Sequence, residues 1–347
     1  MNELDQIKTE MFDSGEKTFL QEFQAEWTRQ INQLYCTQVQ LFIGNHIRPR
    51  LVYWGYCAGK PMTHPSEMVV PVKIAVIVEL IHKASILLDD YIDGDIERRG
   101  EPSFWVEYGE KRTMLFVLHM IGRAIQLMNE LCNQKEIHVD DYLHLMRTLS
   151  NTMEGMSIGV LEELNLTQES QFDIKVIEDI INKETSTLLS NSLLFGYYAS
   201  GRHTLETLSH IELIGQKCGY MFQTMNDLEP LCQAGKNAEY KGRLNTDFAS
   251  SRKNIGIAYL FPQLTASEKR RLLNAQQEKD NDTILRLIQK HKIVDQVLSQ
   301  MELVYLDIIK LIRAPEYSII SQHWKTGFSG LISRLYELCL NRLENGE

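Results

Sequence analysis

Asp89, Asp90 and Asp93 stand in a D-D-x-x-D spacing at the end of an apolar run. On a helix, Asp89 and Asp93 lie one turn apart on one face, with Asp90 beside them. Three adjacent carboxylates repel one another. A hard divalent cation removes that repulsion, and Mg²⁺ prefers carboxylate oxygens together with the oxygens of a phosphate substrate. Arg98 and Arg99 follow closely. They are fixed cations suited to phosphate oxygens. Carboxylates, metal and arginines together describe a site that grips a diphosphate and draws it off as a leaving group. The residues just before, VIVELIHKASILL, are too apolar for a free surface helix. The aspartates therefore emerge from a buried one.

The elements that must position these groups are helical. Leu20, Phe23, Trp27, Ile31 and Leu34 recur at spacings of three and four, as do Val294, Val297, Leu298 and Met301. Period-two alternation is scarce, and turn signals such as Gly100-Glu101-Pro102 and Ser200-Gly201-Arg202 lie tens of residues apart. The expectation is an all-α, single-domain bundle of roughly ten to twelve helices around a central cavity. The 347 residues, 44% hydrophobic and 24% charged, suffice for one large core. No linker divides them. A net charge of −10 argues against a nucleic-acid surface. It leaves diphosphate binding open, because local arginines and metal override the global sign. The six cysteines are scattered, so reduced thiols in a cytoplasmic protein are expected. The acidic, polar N-terminus is no secretory signal, and no apolar run is long enough to span a membrane.

The composite E-L-I-H-K-A-S, D-D-x-x-D, R-R-G-x-P resembles, nearly position for position, the first aspartate-rich region of the trans-isoprenyl diphosphate synthases, the polyprenyl synthetase family. The resemblance implies the isoprenoid synthase fold over residues 33–347, with residues 1–32 as an added, helical extension. It implies a Mg²⁺-dependent prenyltransferase that joins an allylic diphosphate to an acceptor, with isopentenyl diphosphate expected. A homodimer is implied, with a heteromer as the alternative. Asp89, Asp90 and Asp93 become metal ligands, and His82, Arg98 and Arg99 become diphosphate contacts.

The family carries a second cluster, F-Q-x-x-D-D-x-x-D. Here GYMFQTMNDLEP supplies Phe222, Gln223 and Asp227, with Asn226 and Pro230 replacing two aspartates. The resemblance makes Asp227 and Asn226 metal ligands and Gln223 a diphosphate contact. Asn226 still offers an uncharged amide oxygen, and Glu229 lies one position from Pro230. Pro230 is expected to end or kink its helix. Downstream, Arg243, Asp247 and Arg252 match the family's Lys, Asp and Lys; whether Arg252 or the adjoining Lys253 reaches inward is left open. The family's acceptor motif G-K-R reads Gly44-Asn45-His46, followed by Ile47-Arg48-Pro49. His46, if protonated, and Arg48 are the candidate contacts there, beside His82. Where the family has Lys-Thr, this chain has Glu184-Thr185, with Lys183 displaced by one residue. Ala84 and Ser85 occupy the positions that floor the family's prenyl pocket. Both are small, so a deep pocket is expected.

The altered positions favour a specialised enzyme with another acceptor, or a cyclase, as the alternative to chain elongation. A non-catalytic regulatory subunit is a third reading. The intact first motif weighs against it.

Overall fold

The computed structural model describes residues 14–34, 46–60, 65–98, 100–167, 169–232, 253–315 and 320–345. The order is α1 (Ser14–Ile31), α2 (Ile47–Gly59), α3 (Val69–Asp93), α4 (Phe104–Tyr108), α5 (Glu110–Asn133), α6 (Val139–Leu164) and α7 (Ile174–Ile181). There follow α8 (Thr187–Ala199), α9 (Leu205–Cys232), α10 (Ile255–Leu260), α11 (Ala266–Glu278), α12 (Asn281–Lys290), α13 (Ile293–Arg313) and α14 (Gln322–Asn345). One small antiparallel pair, β1 (Glu97–Arg98) and β2 (Glu101–Pro102), follows α3, with Arg98 opposite Glu101. The fold is all-α, as expected. Fourteen α-helices among the described residues exceed the ten to twelve expected, because short helices such as α4, α7 and α10 carry too few turns to show a periodicity.

A single main core runs from α1 to α14. At its centre α2, α3 and α8 pack together. α2 and α8 cross with their backbones nearly touching. A Cβ on Gly196 would overlap the Val52 carbonyl, and one on Gly55 the Leu193 carbonyl. Only glycine permits this approach. α14 closes the far side, where Trp324 Nε1 donates to the Trp54 carbonyl at 2.6 Å.

The first helix packs into the main core. Phe19, Phe23 and Trp27 are buried in the same core as the rest of the chain. Glu16, fully buried, pairs with Arg50 at 3.3 Å on α2. No helix among the described residues is long and apolar enough to cross a membrane.

Two local features aim the site. α3 ends at Gly94, whose φ of 70° is the left-handed C-terminal conformation that glycine favours. Asp90 and Asp93 thus fall in its last turn, with Asp89 just before them. Between α7 and α8 the helix widens to a π turn over Asn182–Ser186, closed by the Thr187 N–H donating to the Asn182 carbonyl. Such turns are rare and concentrate at functional sites. Gly159 on α6 makes room for this one: a Cβ there would stand 2.6 Å from Glu184 Cγ and 3.0 Å from Glu184 N.

Candidate active site

The last turns of α3 show a clear division of faces. His82, Ser85, Asp89 and Asp93 form a partly open row, while Ala84, Leu87 and Asp90 are buried. The row follows from helix geometry, since residues three and four apart share a face.

Asp90 has a partner other than a metal. Arg98 Nε donates to its Oδ1 at 2.6 Å, and the second guanidinium nitrogen contacts the same oxygen. Burial pushes the Asp90 carboxyl up from the ordinary range, and the Arg98 hydrogen bond opposes that. Arg98 also lies 3.7 Å from Asp89, which is half exposed. Asp90, expected as a metal ligand, is paired here with Arg98 and holds it against the row. Asp89 is exposed and Asp93 partly exposed on the same face. They fit a Mg²⁺ ion, which takes one or two carboxylates and completes its shell with water and phosphate oxygens. Among the described residues no three His, Cys, Asp or Glu side chains converge into a closed cage.

On α9, Gln223 Nε2 donates to Asp227 Oδ1 at 2.7 Å. Asn226 is exposed beside it. Gln223 thus orients Asp227 in this structure, where the sequence suggests a diphosphate contact. Pro230 does not end the helix, which runs on to Cys232. A proline inside a helix removes one N–H bond and crowds the carbonyl one turn back, without always ending the helix. Arg99, Arg243, Asp247, Arg252 and Asn45 lie outside the described residues.

The cations further along differ from expectation. Lys183, expected as a diphosphate contact, bridges Glu162 at 2.7 Å and Asp179 at 2.6 Å. The π turn instead directs Glu184 inward. Lys253 meets Glu184 in a short ion pair and Glu163 at 2.9 Å. Of the adjoining Arg252 and Lys253, the described one is thus tied to two carboxylates. Sequence reasoning passed over Glu163, and nothing in its spacing signals the contact.

The acceptor motif also divides. Arg48 Nη1 lies 2.9 Å from His82 Nε2. A guanidinium only donates, so His82 Nε2 accepts and His82 is neutral there. His46 faces the other way. Its Nε2 lies 3.2 Å from Gln24 Nε2, and its ring meets Phe23 edge-on at 5.5 Å between centroids. Burial, with Arg50 and Lys83 nearby, lowers its pKa to about 4. A neutral His46 cannot serve as the protonated phosphate contact that the sequence suggests.

That shift has a measurable consequence. Between pH 6.5 and about 4 the unfolded chain protonates His46 and the folded chain does not. Stability contributed by neutral His46 is therefore complete above pH 6.5 and lost as pH falls through this window, by roughly 3 kcal/mol in total. Denaturant unfolding across that range is expected to show a shallower pH slope in His46→Gln than in the parent. Parallel slopes would contradict the assignment.

The two residues expected at the pocket floor differ in their surroundings. Ser85 lies on the open row, its hydroxyl donating to the His82 carbonyl at 2.8 Å. Ala84 is only 2% exposed and belongs to the main core. A five-residue step from Asp89 turns it well off the aspartate's face, whereas Ser85 is one turn away. Ser85→Phe is expected to shorten the longest product on chromatography. Ala84→Phe is expected instead to overpack the core, at about 1–3 kcal/mol, and lower the melting temperature.

The sequence pattern of one family, polyprenyl synthetase, matches residues 30–291. The chain belongs to the polyprenyl synthetase family. Among its relatives is the short chain isoprenyl diphosphate synthase of Methanocaldococcus jannaschii, 26% identical over 264 residues, covering 74% of this chain and 76% of that one. The geranylgeranyl diphosphate synthase of Saccharolobus solfataricus is 23% identical over 228 residues, covering 64% and 67%. Solved structures share the fold. The geranylgeranyl pyrophosphate synthetase of Pyrococcus horikoshii superposes with a TM-score of 0.77 at 18% identity, over 94% of this chain and 99% of that one. The geranylgeranyl pyrophosphate synthase of Corynebacterium glutamicum, complexed with isoprenyl diphosphate and magnesium, gives 0.75 at 13% identity, over 94% and 99%. The isoprenoid synthase fold is thereby established.

Proposed function

We propose that the protein is a Mg²⁺-dependent prenyltransferase of the isoprenyl diphosphate synthase type. It ionises an allylic diphosphate and joins the prenyl cation to isopentenyl diphosphate. The observation that carries this reading is the placing of Asp89 and Asp93 one turn apart on one partly exposed face of α3, with Arg98 held beside Asp89 by Asp90.

The C–O bond of the allylic diphosphate breaks with its electron pair leaving on the diphosphate. The chemistry a bound Mg²⁺ supplies is neutralisation of that growing charge. Asp89 and Asp93, and from α9 Asp227, are the residues that would hold the ion. Arg98 donates to the departing oxygens and is already oriented by Asp90. The apolar walls of α3, α5 and α8 keep water from the cation. Arg48 and His82 bind the acceptor diphosphate, and its double bond attacks the cation. The proton then lost passes to the released diphosphate. Glu184, drawn to Lys253, stands where the family has a lysine. Arg98 and the arginines beyond residue 232 carry more of the diphosphate's charge in consequence.

The test is incubation with Mg²⁺, radiolabelled isopentenyl diphosphate and each allylic diphosphate in turn. Labelled, longer prenyl diphosphates are expected, and chelation should stop their formation. No incorporation with any allylic partner would overturn the proposal.

The enzyme is also proposed to act in the cytoplasm as a homodimer. α5 exposes Met114, Leu115 and Leu118, and α6 exposes Leu143, Ile158 and Leu161. A second copy covers this surface most simply by two-fold symmetry. Leu115→Glu combined with Leu118→Glu is expected to give the monomer mass in light scattering. An unchanged dimer mass would place the interface elsewhere.

A further inference from the structure

The first helix grips the acceptor motif on both sides of Arg48. Before Arg48, His46 is held by the Gln24 amide at 3.2 Å and by the Phe23 ring. After it, Arg50 reaches the buried Glu16 carboxylate at 3.3 Å, and Trp54 Nε1 approaches the same oxygen at 3.4 Å. Between these two anchors Arg48 lies 2.9 Å from His82 on α3. α1 itself packs on both α2 and α3. It therefore spans the two helices whose side chains meet at Arg48–His82.

Residues 46–50 need such support. His46 precedes the first turn of α2 with a φ of 53°, a left-handed conformation rarely held by a residue other than glycine. It persists where the surroundings over-determine it. The Gln24 amide nitrogen faces His46 Nε2 at 3.2 Å and ties the ring to α1. The first turn of α2 thus has its ring orientation, its backbone and its Arg50 side chain set from α1.

We propose that Gln24 and Glu16 are positioning residues for the acceptor, holding the first turn of α2 so that Arg48 and His82 present one rigid diphosphate contact. This rests on reading Arg48 and His82 as the acceptor site. α1 is then part of the binding machinery, although none of its residues touches the substrate. A loss at Gln24 lets Arg48 sample other directions, and the acceptor loses affinity while the allylic side is undisturbed.

Gln24→Ala carries the test, because Gln24 is exposed while Glu16 is fully buried and its loss also disturbs folding. Gln21→Ala, on an exposed position of the same helix, is the control. Steady-state kinetics are measured with each substrate varied in turn. Gln24→Ala is expected to raise KM for isopentenyl diphosphate about fivefold, the scale of one lost hydrogen bond. Its kcat and its KM for the allylic diphosphate should stay with those of Gln21→Ala. Arg48→Ala is run alongside. If Arg48→Ala leaves the acceptor KM unchanged, the acceptor-site reading itself fails, and this inference with it. If Arg48→Ala raises it while Gln24→Ala matches the control, the positioning role is overturned. A rise in both KM values together for Gln24→Ala means general loosening of the fold and overturns it too.

Discussion

Asp89→Ala or Asp93→Ala is expected to leave less than a tenth of the parent's turnover of an allylic diphosphate while the melting temperature holds or rises. The loss follows from the role. A metal ligand that neutralises a leaving diphosphate contributes several kcal/mol to the transition state, and one oxygen ligand carries a large share. The retained stability follows from position. Both side chains sit at the C-terminal end of α3, the negative pole of its dipole, and no basic residue lies in that last turn. Carboxylates there are unfavourable by about 0.3–1 kcal/mol each. Asp90→Ala should behave differently, since it strands Arg98 beside a buried site and lowers stability as well as turnover. Turnover of labelled substrate and scanning calorimetry on the three variants decide the matter. An Asp89 or Asp93 variant with more than a tenth of parental activity would remove these residues from the metal site.

Gly196→Ala is expected to be among the most damaging small changes in the core. Its Cβ would overlap the Val52 carbonyl, in the backbone of α2, and backbone has no rotamer into which to retreat. α2 and α8 would have to part, at about 3 kcal/mol or more. Because α2 carries Arg48, the acceptor contact would shift with it. Gly122→Ala on α5 is the contrast. Its Cβ meets nothing within 4 Å, and alanine should stabilise that helix by about 0.5–1 kcal/mol. Chemical denaturation of both variants should give midpoints displaced in opposite directions. A Gly196→Ala protein as stable as the parent would mean that the crossing has more room than the structure gives it.

The sequence made some of this legible and hid the rest for physical reasons. The α3 aspartates were readable because their chemistry, spacing and apolar lead-in all agree, and the helix ends at the glycine that follows them. Phe222 to Asp227 was readable by resemblance, although the Gln223–Asp227 contact depends on the helix continuing past Gln223. His46 misled because a histidine in a phosphate-binding motif suggests a cation. Only the packing of α1 shows that it is buried and neutral. The burial of Ala84 was not legible, because small size says nothing of which face a residue occupies. Nor were the partners of Lys183 and Glu184, which sit in a π turn and not in an ordinary helical one. A π turn has no sequence signature, and the glycine that admits it lies on another helix.

That turn also bears on how the chain came by its altered charges. Its ring spans one residue more than a regular helical turn, so the segment from Asn182 to Thr187 holds an additional residue over the same rise. Insertion of a single codon is enough to displace a lysine by one place and bring a glutamate into its former direction, with no substitution at either position. Comparisons with relatives should then align best with a one-residue gap inside Asn182–Ser186. Shortening the segment by one residue is the economical way to turn Lys183 inward, a change of length that no exchange of side chains reproduces.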